Sequence, residues 1–143
     1  MTNSNQIARL LKERILVLDG AMGTMLQGYQ LDEVAWRGSR FVDHEMPLMG
    51  NNDLLVLTQA EIIKEIHRQF LMAGADILET NTFNSNAVSQ SDYGTQSLVY
   101  EINRTAAMLA KSEALAMTAK TPEKPRFVAG SMGPTNRTLS FSP

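Results

Sequence analysis

Asp19 closes the apolar run Ile15-Leu16-Val17-Leu18 and opens Gly20-Ala21-Met22-Gly23-Thr24, where two glycines three apart permit a tight turn or a close backbone approach. A carboxylate there stands at the mouth of a sheet, partly desolvated and beside backbone amides, which suits an ammonium ligand. The competing reading is a turn-forming Asp that caps a short helix. The loop lacks both the G-x-G-x-x-G spacing of a dinucleotide fold and the Gly-Lys-Ser/Thr of a P-loop, so nucleotide binding is disfavoured. Its amides can still hold a carboxylate. Asp19 with Gly20, Gly23 and Thr24 therefore suits a zwitterion such as an amino acid.

Asn81, Thr82, Phe83 and Asn84 place donors, acceptors and an apolar wall within four consecutive residues, as small-ligand pockets do. The alternative is a polar loop with Phe83 turned into the core. His44 and His67 each lack a second histidine at ligand spacing and read as structural or solvated. The nine methionines are scattered and fit core filling.

The elements that carry these loops follow from periodicity. Ile15 to Leu18 reads as a strand buried on both faces, Asp76 to Glu79 as a second, and Phe127 to Gly130 as a third. Thr58-Gln59-Ala60-Glu61 has the form of a capping box, and Ile62, Ile63, Ile66, Phe70 and Leu71 form a helical stripe that Gly74 terminates. Leu98, Ile102, Ala106 and Leu109 mark a second helix, from about 96 to 119. Residues 29–57 read as a long excursion with at most one short helix near Asp32 to Arg37. Strand, helix, strand, helix, strand is the order of parallel βα units, and active sites of such folds gather at the carboxyl ends of the strands. An open doubly wound sheet and part of a (β/α)8 barrel both fit this order. Three strands cannot close a barrel, which takes roughly 200 residues or more.

Composition narrows the function. The chain of 143 residues is 43% hydrophobic and 20% charged, which suits one globular domain. A net charge of −2 gives no field for nucleic acid or an anionic membrane. The absence of cysteine removes disulfides, thiol nucleophiles and sulfur-ligated zinc. No apolar run resembles a signal peptide or a membrane span, so a cytoplasmic location is expected.

The same loops resemble the homocysteine-binding domain of the cobalamin-dependent methionine synthase family. The resemblance is carried by Ile15-Leu16-Val17-Leu18-Asp19-Gly20-Ala21-Met22-Gly23-Thr24-Met25, by Gly50-Asn51-Asn52-Asp53-Leu54-Leu55-Val56-Leu57, and by Ala73-Gly74-Ala75-Asp76-Ile77-Leu78-Glu79-Thr80-Asn81-Thr82-Phe83-Asn84-Ser85. It continues through Thr121-Pro122-Glu123-Lys124-Pro125-Arg126, Val128-Ala129-Gly130 and Gly133-Pro134-Thr135-Asn136-Arg137.

That resemblance implies an α/β fold, the N-terminal part of a (β/α)8 TIM barrel of about three βα units. It implies a partial homocysteine-binding domain over residues 1–143 that stops before the strands carrying three zinc-ligating cysteines. In that family zinc lowers the thiol pKa of homocysteine, and the thiolate takes the methyl group of methylcobalamin. By the same resemblance Asp19 and Gly20 hold the amino-acid end of the substrate, Thr82 and Phe83 form a second wall, and a further acidic residue lies beyond Pro143.

Neither zinc nor methylcobalamin is then expected on this segment, which is expected to be inactive alone. Its partners are homocysteine, the remaining barrel strands, and the folate and cobalamin modules of the parent enzyme. Betaine-type and S-methylmethionine-type homocysteine methyltransferases resemble this barrel too. Asn51-Asn52-Asp53 and Gly133-Pro134-Thr135-Asn136 look more like the cobalamin enzyme. A non-catalytic module that binds an amino acid or a protein is the reading from another class. It is physically awkward, because a lone three-stranded parallel sheet leaves edges and apolar faces uncovered.

Overall fold

The computed structural model describes residues 3–135 and 137. Asn136 of the last motif lies outside them. Helix α1 (Asn3–Glu13) leads into an extended segment, 15–19, that runs parallel to strand β1 (Ile77–Glu79). Asp76 and Ile77 both donate their amides to Val17 O, and Asp19 donates to Ile77 O. On its other side β1 pairs in parallel with β2 (Phe127–Ala129), in the register Ile77↔Phe127, Leu78↔Val128, Glu79↔Ala129. The sheet order is therefore the 15–19 segment, β1, β2.

The first apolar run departs from expectation. The run 15–18 is not a strand buried on both faces: it makes a single bridge, Leu18↔Ile77, and Ile15, Val17 and Leu18 are 86%, 53% and 48% exposed. An apolar run is buried on both faces only when neighbours flank it on both sides. Among the described residues β1 is the strand this segment pairs with, whereas central β1 has Leu78 fully buried.

The segment's start is clasped. Arg14 donates two hydrogen bonds to Asp76, at 2.9 and 2.8 Å, and the Val17 amide donates to the same carboxylate. Lys124 stands 3.6 Å from Asp76 and donates to Gly74 O, tying the approach to β2 into the same knot.

Short helices α2 (Met22–Gln27) and α3 (Glu33–Arg37) follow the first loop, and Asp32 caps α3 by accepting the Ala35 amide. The excursion is more ordered than its sequence suggests. A 3₁₀ turn, Asn52–Leu54, runs into α4 (Leu55–Thr58), and Leu48, Leu54 and Leu55 are fully buried in one core with Trp36, Ile63, Ile66 and Ile102. Glu33 pins its path by accepting the Leu48 and Met49 amides, while Arg37 donates to Glu33 and to the carbonyls of Phe41 and His44. Periodicity misses this because the excursion folds through side-chain-to-backbone bonds rather than a repeating apolar face.

Helix α5 (Ala60–Ala73) crosses from the 15–19 segment to β1 and ends at Gly74 in the left-handed conformation, φ 113°, as its stripe predicts. The capping box does not form. Thr58 belongs to α4 and its buried hydroxyl has no partner, Gln59 is the N-cap, and Glu61 pairs with Lys64. After α6 (Ala87–Gln90), capped by Asn86, and a 3₁₀ turn at Gln96–Leu98, α7 (Val99–Lys120) crosses from β1 to β2. Leu71, Leu78, Ala110 and Ala114 seal α5 and α7 against β1. Among the described residues no helix is long and apolar enough to cross a membrane.

Candidate functional site

The carboxyl ends of the 15–19 segment, β1 and β2 open on one cavity of about 300 Å³. Asp19, Gly20, Gly23, Asn81, Thr82 and Phe83 line it, so two loops far apart in sequence form one wall; Thr24 does not line it. Asn52, Asp53, Glu79 and Ser131 also line it and were not among the expected residues. Asn52 and Asp53 sit in the polar triplet 51–53, so a polar cluster ahead of a buried apolar run was the available signal.

Asp19 is not the cap of α2, whose N-cap is Ala21, a left-handed residue with φ 51° and no side-chain cap bond. Its Oδ1 accepts the Glu79 amide at 2.7 Å, and Oδ2 faces His67 Nδ1 at 3.9 Å. The side chain is only 4% exposed. Burial pushes the carboxyl up to about 6, opposed by the Glu79 amide and helped by the Glu79 charge. The loop's special backbone is thus at Ala21, and a Cβ on Gly20 would meet nothing within 4 Å.

The second loop is fastened to its neighbours. Thr82 donates its hydroxyl to Ser131 O, so the 2.6 Å contact with Thr80 is a bond donated by Thr80, whose oxygen in turn accepts the Ser131 amide. Thr82 therefore holds the exit of β2 to the exit of β1. Asn81 donates to Asn52 O. Asp53, buried, accepts the Asn84 amide and the Ser85 hydroxyl, and burial raises its carboxyl despite those bonds. Behind it Asn51 and Gln90 exchange amide hydrogen bonds, and Thr95 donates to Gln90.

Phe83 is 54% exposed, so it is not turned into the core. Here a glycine is required: a Cβ on Gly133 would fall 2.6 Å from the Phe83 ring and carbonyl, and the Gly133 amide donates to that carbonyl.

His44 meets Tyr93 O at 2.8 Å and is structural. His67 is fully buried, neither solvated nor satisfied. Among the described residues no group of three His, Cys, Asp or Glu could hold a metal, and the sequence has no cysteine. The side chains of the cavity do not fit a thiolate-bound zinc.

A pocket built at strand ends, with an acidic first loop and a polar second one, accords with the family whose model matches residues 16–143, homocysteine S-methyltransferase. The chain belongs to the homocysteine S-methyltransferase family. Its fold matches solved structures of the homocysteine methyltransferase MmuM from Escherichia coli. For the metallated form the TM-score is 0.67 at 22% identity, over 88% of this chain and 40% of that one. For the oxidized form it is 0.64 at 27%, over 87% and 39%. The chain thus spans about 40% of the length of those structures. Its α/β architecture, short parallel sheet and crossing helices, is that of the first part of a (β/α)8 barrel.

Proposed function

We propose that this chain supplies the amino-acid-binding part of a homocysteine pocket in a methyltransferase that makes methionine, working in the cytoplasm. The observation that carries the reading is the convergence of Asp19 and Gly20 with Asn81, Thr82 and Phe83 on one cavity at the strand ends. Homocysteine is a zwitterion with a short apolar stem and a thiol. Asp19 offers a desolvated negative charge to the ammonium group, and its carboxyl, raised to about 6, is held as carboxylate more firmly once a cation binds. The backbone of residues 20–23 lines the same wall and suits the ligand's carboxylate. Met22 and Phe83 offer apolar surface to the stem.

In the resembling enzymes zinc supplies thiolate activation; the side chains lining this cavity include neither cysteine nor histidine and do not fit it. The proposed methyl donor is methylcobalamin, on the strength of Asn51-Asn52-Asp53 and Gly133-Pro134-Thr135-Asn136. A betaine or S-methylmethionine donor is the second reading, since the E. coli structures matched are of a homocysteine methyltransferase and homocysteine methyltransferases of those types resemble the same barrel. An Asp-x-His-x-x-Gly motif encoded downstream of codon 143 would decide for cobalamin.

The pocket is tested by titrating the labelled chain with L-homocysteine and following its amide resonances. Shifts centred on Gly20, Gly23 and residues 81–83 are expected, and Asp19→Asn should weaken binding about tenfold or more, the effect of removing a charge partner. Shifts confined to other surfaces, or equal affinity in the variant, would overturn the assignment. Supplied with homocysteine and methylcobalamin, the chain should release no methionine.

A further inference from the structure

His67 lies mid-way along α5, wholly buried, with neither ring nitrogen hydrogen-bonded. An orphaned imidazole in a core whose other polar side chains are largely paired demands a reason. The carboxylate it faces is that of Asp19, whose Oδ1 is already anchored on the Glu79 amide while Oδ2 stands 3.9 Å from His67 Nδ1. An approach of about 1 Å would complete the hydrogen bond. Resting on the amino-acid pocket proposed above, we infer that His67 is a positioning residue: its Nδ1–H closes onto Asp19 Oδ2 and holds Asp19 as a fixed carboxylate for the ligand's ammonium group.

The protonation states agree with this geometry. Burial takes His67 down to about 4 and Asp19 up to about 6, so near neutral pH a carboxylate faces a neutral ring with one N–H to give. The charged groups acting on the pair are Glu79, which disfavours charge on Asp19, and Glu113 of α7, which favours charge on His67. The rise of Asp19 to about 6 carries no contribution from the ring at 3.9 Å; closing the Nδ1–H bond would lower that carboxyl, and removing the donor would leave burial opposed only by the backbone amides of Glu79 and Asp19.

The experiment reads Asp19 directly. In the 143-residue chain, the Asp19 side-chain carboxyl ¹³C resonance is titrated in wild type, His67→Leu and His67→Asn. Leu keeps bulk without a donor; Asn carries an amide N–H near the place of Nδ1. The Asp19 midpoint should rise by about one pH unit or more in the Leu variant and stay near wild type in the Asn variant. Affinity for L-homocysteine should fall about tenfold with Leu and less than about threefold with Asn.

Equal midpoints in wild type and a folded Leu variant overturn the inference, as does an equal shift in both variants, the mark of lost packing. If the Leu variant does not fold, ring ¹⁵N shifts of His67 in wild type and Asp19→Asn decide the matter, and identical shifts overturn it. If the Asp19 midpoint moves as expected while wild type binds no homocysteine, the pocket reading fails and the positioning of Asp19 by His67 stands.

Discussion

Asp19 and His67 pull stability in opposite directions over one pH interval. The folded chain keeps a proton on Asp19 up to about pH 6, while an unfolded Asp loses it near 3.8. That contribution is whole below 3.8 and is lost as pH rises through about 6. His67 is the reverse: the unfolded ring takes a proton below 6.5 and the folded ring refuses it until about 4, so its contribution is whole above 6.5 and is lost as pH falls through 4. Between these limits each state carries one proton on the pair, on Asp19 when folded and on His67 when unfolded, and the slopes cancel.

Removing either residue exposes the other. Asp19→Asn should gain about 1–3 kcal/mol over wild type as pH rises across the interval, and His67→Asn should lose a similar amount. Urea unfolding at a series of pH values measures both, and a constant offset between Asp19→Asn and wild type would show Asp19 titrating as an exposed carboxylate. At this scale the sequence singled out residues that the fold brings together, since six of the seven expected residues line one cavity. It read His67 only as structural or solvated, because a lone polar residue in a helical stripe does not reveal which distant side chain it meets.

Among the elements, the 15–19 segment depends on Asp76. Burial pushes that carboxyl up, but Arg14, the Val17 amide and Lys124 outweigh it and hold it below the ordinary carboxylate range. The clasp therefore stabilises above about pH 4 and is lost as pH falls through the depressed value. Asp76→Asn should cost about 2–4 kcal/mol, less than a wholly buried pair because Arg14 is partly open to water. Hydrogen exchange at Asp19 and Ile77, whose amides bind Ile77 O and Val17 O, should accelerate far more than exchange at Ile66 in α5. Uniform acceleration would mean that the clasp supports the whole fold rather than this edge.

Helices α5 and α7 were readable because a stripe, a Gly stop and a Pro-rich end each act locally. The capping box failed because a second short helix, α4, claims Thr58. The extended segment was misjudged because burial of a strand is decided by its neighbours and not by its own letters.

The described residues leave the apolar surface of several large side chains open to water. Leu11 of α1, Ile15, Val17 and Leu18 of the extended segment, and Leu115 of α7 all stand open. A furrow of about 390 Å³ between α7 and β2, lined in part by Leu115, Pro125, Phe127 and Val128, adds to it. The segment 15–18 also leaves the edge away from β1 without a ladder partner among the described residues, and an open edge beside exposed β-branched side chains is a template for pairing with another chain. With a net charge of only −2, long-range repulsion does little to keep copies apart.

The chain alone should therefore self-associate as its concentration rises, and sedimentation velocity over a wide concentration range should show the weight-average coefficient climbing. Ile15→Lys with Val17→Thr places a charge and a hydroxyl on that edge while keeping the Val17 backbone bonds to Asp76 and leaving the cavity lining unchanged, and should shift the onset to concentrations at least about tenfold higher. A wild-type chain that stays monomeric throughout, with well-dispersed amide resonances, would mean that these faces are tolerated in water and that the fold is self-sufficient at this length.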